Sequence, residues 1–516
     1  MAESKRTKTA GRGLETPPSD IPFPSVAIIG SGFGGLCMAI KLKEAGFQAI
    51  TIFEKADRVG GTWRDNSYPG AACDVPSHLY SFSFEPKSDW SRAFPEQSEI
   101  LGYIDHVADK YNLRPHIRFR TEVTAAEFDE AKGLWRIETI TGSSENNGSR
   151  GRHETHFAHV LVSACGQLNR PAYPDIPGLD RFEGVQFHSA RWNHQHSLKG
   201  RKVAVIGTGA SAIQFVPPVA EQAGQLHVFQ RTPTWILPKP DRPYMNYEKR
   251  RFRKFPAWRE TYRNWLYWSL EARFAALNQG SVLGEMVKRA ALEHLDSQVK
   301  WPLLKKALTP DYELGCKRIL ISNDYYPAIQ RPNVALITTP VERFTKNSVV
   351  DRDGRSYDVD TVIFGTGFET TGFLAPIRIT GLGGQSLKEA WKDGAEAFLG
   401  VTVAGFPNLF MLYGPNTNLG HNSILFMIEC QVHYAIQCIR RLVDRRLKYL
   451  HPDPDRQREY NEWVQAELKK RVWATGCHSW YVNEKGKNTN NWPTYTVSYW
   501  RKTRQVDFSA YRSEAR

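Results

Sequence analysis

One pattern occurs twice in the chain and limits what it can fold into. An apolar run ending in glycine, Ser25-Val-Ala-Ile-Ile-Gly30, leads into a glycine-rich turn, a helical stretch from Leu36 to Ala45 closed by Gly46, and a second apolar run from Ala49 to Phe53. The same succession returns at Arg201-Lys-Val-Ala-Val-Ile-Gly207, with a turn over 208–212, a helix from Ile213 to Gln222 and a strand from Leu226 to Gln230. Short apolar runs alternating with helices predict buried parallel strands and crossover helices. A chain that repeats this unit is α/β, with two doubly wound (Rossmann-like) dinucleotide-binding domains. Its 516 residues leave room for further elements, at roughly 150 residues per domain.

The two turns carry chemistry. The first reads Gly30-Ser-Gly32-Phe-Gly-Gly35. Gly30 permits the tight turn, Gly32 lets the backbone approach a pyrophosphate, and Gly35 lets the helix pack close to the strand. The helix N-terminus then offers free N–H groups to phosphate. The second reads Gly207-Thr-Gly209-Ala-Ser-Ala212, with the alanine that this pattern tolerates at its third position. Glu54 lies 24 positions after Gly30, and Arg231 lies 24 positions after Gly207. A carboxylate suits a ribose diol; a guanidinium, here followed by Thr232, suits a ribose phosphate that a carboxylate would repel. One site is therefore expected to take FAD and the other NADPH rather than NADH, which makes a flavoprotein oxidoreductase.

Composition narrows the class further. Seven cysteines stand singly without a Cys-x-x-Cys pair, which predicts free thiols in a reducing, cytoplasmic setting, no metal site and no redox-active dithiol of the kind flavin disulfide reductases need. The formal net charge of +14 invites nucleic acid or an acidic membrane as partner, but no recognition motif and no apolar run of about 18 residues accompanies it. Neither partner is expected. The first twenty residues read as a disordered basic tail and 141–150 as a polar surface turn. From Arg242 to Leu308 the pattern is helical, and its cluster Lys249, Arg250, Arg251, Arg253, Lys254 reads as a solvated helix face. Strand-like Val334 to Thr338 and Thr361 to Phe364 then return to the sheets. The expected division is an FAD domain from 21–170 and 360–516, an NADPH domain from 171–240 and 312–359, and a helical insertion from 241–311.

Between the repeats lies Phe182-Glu-Gly184-Val-Gln-Phe-His188-Ser-Ala-Arg-Trp192-Asn193. It resembles the F-x-G-x-x-x-H-x-x-x-W fingerprint of type I Baeyer–Villiger monooxygenases, with Asn193 in place of the closing Pro or Asp. The same family is echoed by Gly60-Gly-Thr62-Trp63, Tyr68-Pro-Gly70 and Asp74, by Gly315-Cys-Lys317-Arg318, and by Ser479-Trp480-Tyr481. The resemblance runs from about Ser25 to Asp507 and reaches the cyclohexanone, phenylacetone and hydroxyacetophenone branches alike. The fingerprint itself is expected in an interdomain linker.

That resemblance implies a reaction. NADPH reduces FAD, dioxygen gives a C4a-peroxide, and its anionic form attacks a ketone to yield an ester or lactone through a tetrahedral adduct. Arg318 would hold the peroxide and the oxyanion, and Asp74 would position Arg318. The flavin set is then Gly30, Gly32, Phe33, Gly35, Glu54, Lys55, Thr62, Trp63, Asp74, Tyr80 and Val123. The NADPH set is Thr208, Gly209, Ser211, Gln214, Arg231, Thr232, Lys317 and Trp480, with Trp63 and Trp480 toward the nicotinamide and His188 coupling domain movement to cofactor binding. The alternative is a flavin-containing monooxygenase that oxidises nitrogen or sulfur through the protonated hydroperoxide and has no need of Arg318. A non-enzymatic FAD-binding protein is a third reading. A monomer or weak homo-oligomer is expected, and the particular ketone stays open.

Overall fold

A computed structural model describes residues 24–142, 151–477 and 479–516. The expected tail and nearly all of the 141–150 turn lie outside these residues. Both glycine turns sit where the repeats predict, each between a buried strand and a helix: Val26–Ile29 then Phe33–Glu44, and Lys202–Ile206 then Ala210–Gln222.

Each repeat nucleates its own sheet. The six-stranded sheet runs Thr402–Val403, Phe406–Met411, Val160–Ser163, Val26–Ile29, Ile50–Phe53, Ile117–Arg118, parallel except for its first pair. The five-stranded sheet is wholly parallel and runs Val334–Ile337, Gln225–Phe229, Lys202–Ile206, Thr361–Phe364, Val185–His188. In both, the glycine-bearing strand adjoins one that returns from far along the chain, so each sheet has a switch point at which its crossovers part to opposite sides and leave a crevice. Two glycines make that crevice close: a Cβ on Gly30 would lie 2.8 Å from the Ala164 carbonyl oxygen, and one on Gly207 would lie 2.6 Å from that of Gly365. Both have positive φ, +102° and +106°, where a side chain is strained in any case.

Three expectations need correction. Thr361–Phe364, which a boundary at 360 gives to the first domain, is a central strand of the second sheet, because a doubly wound sheet needs a strand on the far side of its switch point. The Phe182–Trp192 fingerprint is not a linker: Val185–His188 is the edge strand of the same sheet, paired with Thr361–Phe364. Cys316 and Cys477 are not free thiols but form a disulfide, with Cα atoms 6.2 Å apart across 161 residues of chain. Spacing arithmetic sees only neighbours in sequence, and this pair is made by the fold.

The helices Asn246–Lys254, Pro256–Ala272, Val282–Gln298 and Pro302–Leu308 form the predicted insertion. It belongs to neither sheet alone. Phe252, Phe274 and Leu277 join the core of the first sheet, whereas Leu295, Val299 and Leu308 join that of the second. Among the described residues no helix is long and apolar enough to cross a membrane.

Candidate active site

A cavity of about 1140 Å³ opens where the two crevices face each other. A single small-molecule pocket holds roughly 300–1,000 Å³, so this one has room for more than one ligand. From the first sheet it is lined by Gly30, Gly32, Phe33, Glu54, Lys55 and Val123, and from the loops that follow by Thr62, Trp63, Asp74 and Tyr80. From the second it is lined by Thr208, Gly209, Ser211, Gln214, Arg231 and Thr232, and by Lys317, Arg318 and Trp480. Gly35 lies behind the wall, where a Cβ would run into the Gly30 carbonyl.

The residues present fit two dinucleotides. Neither Phe33–Glu44 nor Ala210–Gln222 has a side-chain cap, so their first N–H groups are left without a side-chain acceptor, and Phe33, Gly34, Ala210 and Ser211 at these helix starts line the cavity. Glu54 is buried at 4% exposure. It accepts from the Ser31 N–H (2.9 Å) and hydroxyl (2.7 Å) and from the Ala56 N–H (2.9 Å). Its counter-cation was missed in the sequence: Arg64 stands 3.0 Å from Glu54 and 2.7 Å from Asp65. Burial works against the Arg64 charge, but Asp65 and Glu54 outweigh it and hold its pKa above the ordinary value. On the second side, Thr208 donates to the Thr232 carbonyl (3.2 Å), and Lys317 lies beside Arg231. Burial first, and then the Arg231 charge, lower the Lys317 pKa, as befits two cations sharing a place for an anion.

The centre of the cavity holds an ion pair between the two sheets' loops. Arg318 Nη2 donates to Asp74 Oδ2 at 3.1 Å. Burial disfavours the guanidinium charge, yet Asp74 outweighs it, and the Arg318 pKa is raised. Gln214, expected among the coenzyme contacts, does line the cavity but uses its amide as a stitch. It accepts from the Tyr68 hydroxyl (3.0 Å) and donates to the Ala72 carbonyl (3.1 Å) and to Asp74 Oδ1 (3.4 Å). Trp63 donates its indole N–H to the Tyr80 hydroxyl at 3.0 Å. The Cys316–Cys477 bridge ties the Lys317-Arg318 segment to the Ser479-Trp480 segment, and the Trp480 carbonyl accepts from Thr370 (2.9 Å) and Asn490 (3.0 Å).

His188 stands apart. It lies behind the Tyr173 and Phe368 rings, 5.5 and 5.8 Å away, which themselves line the cavity. Its Nδ1 accepts from the Ala190 N–H at 3.1 Å, and burial pushes its pKa down to about 4, so it is neutral at physiological pH. Phe182 packs on Phe344, and Trp192 packs on Phe187 and Phe215. A Cβ on Gly184 would strike the Asp360 carbonyl.

The wall opposite is a loop with no sequence periodicity to mark it. The Tyr413 hydroxyl donates to Asn418 at 2.6 Å, and Tyr413, Asn418, Leu419 and Asn422 all line the cavity. Asn422 donates at 2.8 Å to Glu271, a buried carboxylate at the end of the insertion's second helix. Glu271 also accepts from the Thr496 hydroxyl (2.7 Å) and the Val497 N–H (3.0 Å), and His421 is within 3.4 Å. Burial alone would raise the Glu271 pKa; His421 and these donors more than offset it.

Residues 24–376 match the family model described as flavin-binding monooxygenase-like. Over 510 residues, 98% of this chain and 95% of its relative, the sequence is 45% identical to a Baeyer–Villiger monooxygenase of Pseudomonas aeruginosa. The chain belongs to the Baeyer–Villiger monooxygenase family. A Baeyer–Villiger monooxygenase of Streptomyces coelicolor is 44% identical over 94% of this chain and 92% of its own length. Among solved structures, an oxidised steroid monooxygenase bound to NADP superimposes with a TM-score of 0.83 at 30% identity, covering 96% of this chain and all of that one. A closed cyclohexanone monooxygenase does so with a TM-score of 0.83 at 28% identity, over 96% of this chain and 99% of that one. The Baeyer–Villiger reading of the motifs is thus met by whole-chain similarity, and the fold is that family's pair of nucleotide-binding domains.

Proposed function

We propose that the chain is an FAD- and NADPH-dependent Baeyer–Villiger monooxygenase, inserting one oxygen atom of O2 beside a ketone carbonyl to give an ester or lactone. The observation that carries this reading is the Arg318–Asp74 pair in a cavity flanked by two uncapped helix N-termini. We assign the FAD adenosine half to Gly30, Gly32 and Glu54, with Arg64 paired to the carboxylate and helping to aim it. We assign the NADPH pyrophosphate to Thr208 and Gly209 and its 2′-phosphate to Arg231, Thr232 and Lys317. By this division the first sheet with its antiparallel neighbours serves the flavin, and the second, now including 361–364, serves the coenzyme.

When bound, the two groups supply hydride transfer and oxygen activation. The chain's own part is electrostatic. Oxygen insertion beside a carbonyl passes through negative charge on oxygen, and Arg318 is a donor that stays protonated at any working pH. Asp74 fixes its direction before reaction, so no reorientation is required as charge develops. A fixed donor of this kind contributes roughly 3–4 kcal/mol, or a hundred- to a thousandfold in rate. Trp63, Tyr413 and Trp480 line the same cavity as the pair. Oxidation of amines or sulfides at an electrophilic oxygen gains nothing from such a cation.

The test is NADPH oxidation by purified holoenzyme against linear, cyclic and aryl ketones, amines and sulfides, with products weighed by mass spectrometry under ¹⁸O2. Ester or lactone carrying one labelled oxygen is expected. Oxidised amine or sulfide with no ester from any ketone would refute the reading.

A further inference from the structure

The insertion presents a surface that neither core nor cavity uses. On the helix Pro256–Ala272, Leu266 and Leu270 turn inward onto Leu79. Trp258, Trp265 and Trp268, spaced by seven and three residues, share the opposite face and are 41%, 61% and 57% exposed. Phe255, just before this helix, is 53% exposed. Immediately upstream, Asn246–Lys254 buries Phe252 alone and carries Lys249, Arg250, Arg251, Arg253 and Lys254. Arg253 approaches Asp89 only to 4.0 Å, and among the described residues the other four have no acidic partner. Glu248 is already engaged by Arg242 at 2.7 Å. Charge and aromatic stripe are coupled, since the Arg251 guanidinium lies 3.8 Å over the Trp258 ring. From 249 to 268 the chain carries a single carboxylate, Glu260.

We propose that this helix pair is a docking surface for an anionic lipid bilayer. Tryptophan and phenylalanine settle at the boundary between headgroups and acyl chains, and an amphipathic helix with a basic flank lies in that plane. The cations supply the attraction to negative headgroups, and the chain's net charge of +14 acts in the same direction. A second copy of the chain is a poorer occupant: a two-fold interface places the same patch against itself and would set Lys249, Arg250, Arg251 and Lys254 against their own kind. The sequence pattern alone, read as a solvated helix face with no membrane partner, gave no sign that three tryptophans would be left outside. The inference is independent of the reaction assigned to the cavity.

The experiment is flotation of the full-length holoenzyme with vesicles of phosphatidylcholine alone and of equimolar phosphatidylcholine and phosphatidylglycerol, at low and high salt. The bound-to-free ratio should be at least about tenfold higher on the anionic vesicles and should fall with salt. K249E/R251E should lower it by about thirtyfold or more. W265S/W268S should lower it at either salt while leaving the thermal transition and NADPH oxidation as in wild type, because both side chains are outside the core. The first twenty residues are also basic, so these variants, made in the full chain, assign the binding to the helices. Absence of binding to anionic vesicles, or binding unchanged in both variants, would overturn the proposal. So would self-association, or binding of a single-stranded oligonucleotide, that the same variants abolish while vesicle binding is absent.

Discussion

Arg231→Ala isolates the reading of the coenzyme's 2′-phosphate. Arg231 is exposed on the cavity rim and near enough to Lys317 to help lower its pKa. A hydrogen bond to a charged group is worth about 1.5–3 kcal/mol, and exposure puts this one at the lower end. Loss of about 1.5 kcal/mol is roughly tenfold in kcat/KM for NADPH. NADH has no phosphate there and should change by less than about twofold. The lysine provides a second signature with a definite sign. Burial and Arg231 depress the Lys317 pKa, so its charge, and its share of the hold on the phosphate, is complete below that depressed value and is lost as pH rises through it. Without Arg231 the lysine recovers part of its ordinary pKa, and the alkaline rise in KM for NADPH moves to higher pH. Steady-state kinetics with both coenzymes from neutral to alkaline pH read both effects. Equal losses with NADPH and NADH, or an alkaline limb that does not move, would refute the assignment.

Arg318→Ala should retain flavin reduction by NADPH but lose ester formation by about a hundred- to a thousandfold, and Arg318→Lys, which keeps the charge without the planar fork, should fall between, as product analysis after anaerobic reduction and oxygen mixing will measure. Glu271→Ala strands the Asn422 amide, the Thr496 hydroxyl and the Val497 N–H, each at about 1–3 kcal/mol. Calorimetry should find a lower Tm and kinetics a raised KM for ketone. Because the Glu271 pKa is depressed in the fold, its contribution is present at neutral pH and is lost as pH falls through that value. Cys316→Ser opens the bridge that spans 161 residues and should cost on the order of 2–5 kcal/mol. A Tm identical in wild type with and without reductant, and in the variant, would contradict it.

What the sequence made legible was local. The turns at Gly30 and Gly207 could be read because strand, glycines and helix are consecutive, although the backbone that crowds each glycine, at Ala164 and Gly365, arrives from far along the chain. Glu54 and Arg231 followed because a strand of fixed rise delivers its end to the same crevice in each repeat. The helical insertion was visible in its pattern, although not that it would enter both cores. Arg64 stayed hidden since its partner Glu54 lies on another element. The Gln214 stitch, the Tyr413–Asn422 wall and the Glu271 anchor depend on how crossovers and loops meet, and no periodicity encodes that. The handover at 360 failed for a related reason: Thr361–Phe364 has the same apolar look whichever sheet it joins. Asp74 and Arg318 were named through resemblance; their 3.1 Å contact is a property of the tertiary fold.

That contact spans 244 residues and joins a loop that follows the first repeat to one that follows the second. The central charge of the cavity is therefore not owned by either half. The Gln214 stitch, which joins the helix of the second glycine turn to Tyr68, Ala72 and Asp74, holds the same junction from beside it. The ion pair therefore ties the electrostatics of the centre to the mutual position of the two elements that carry it.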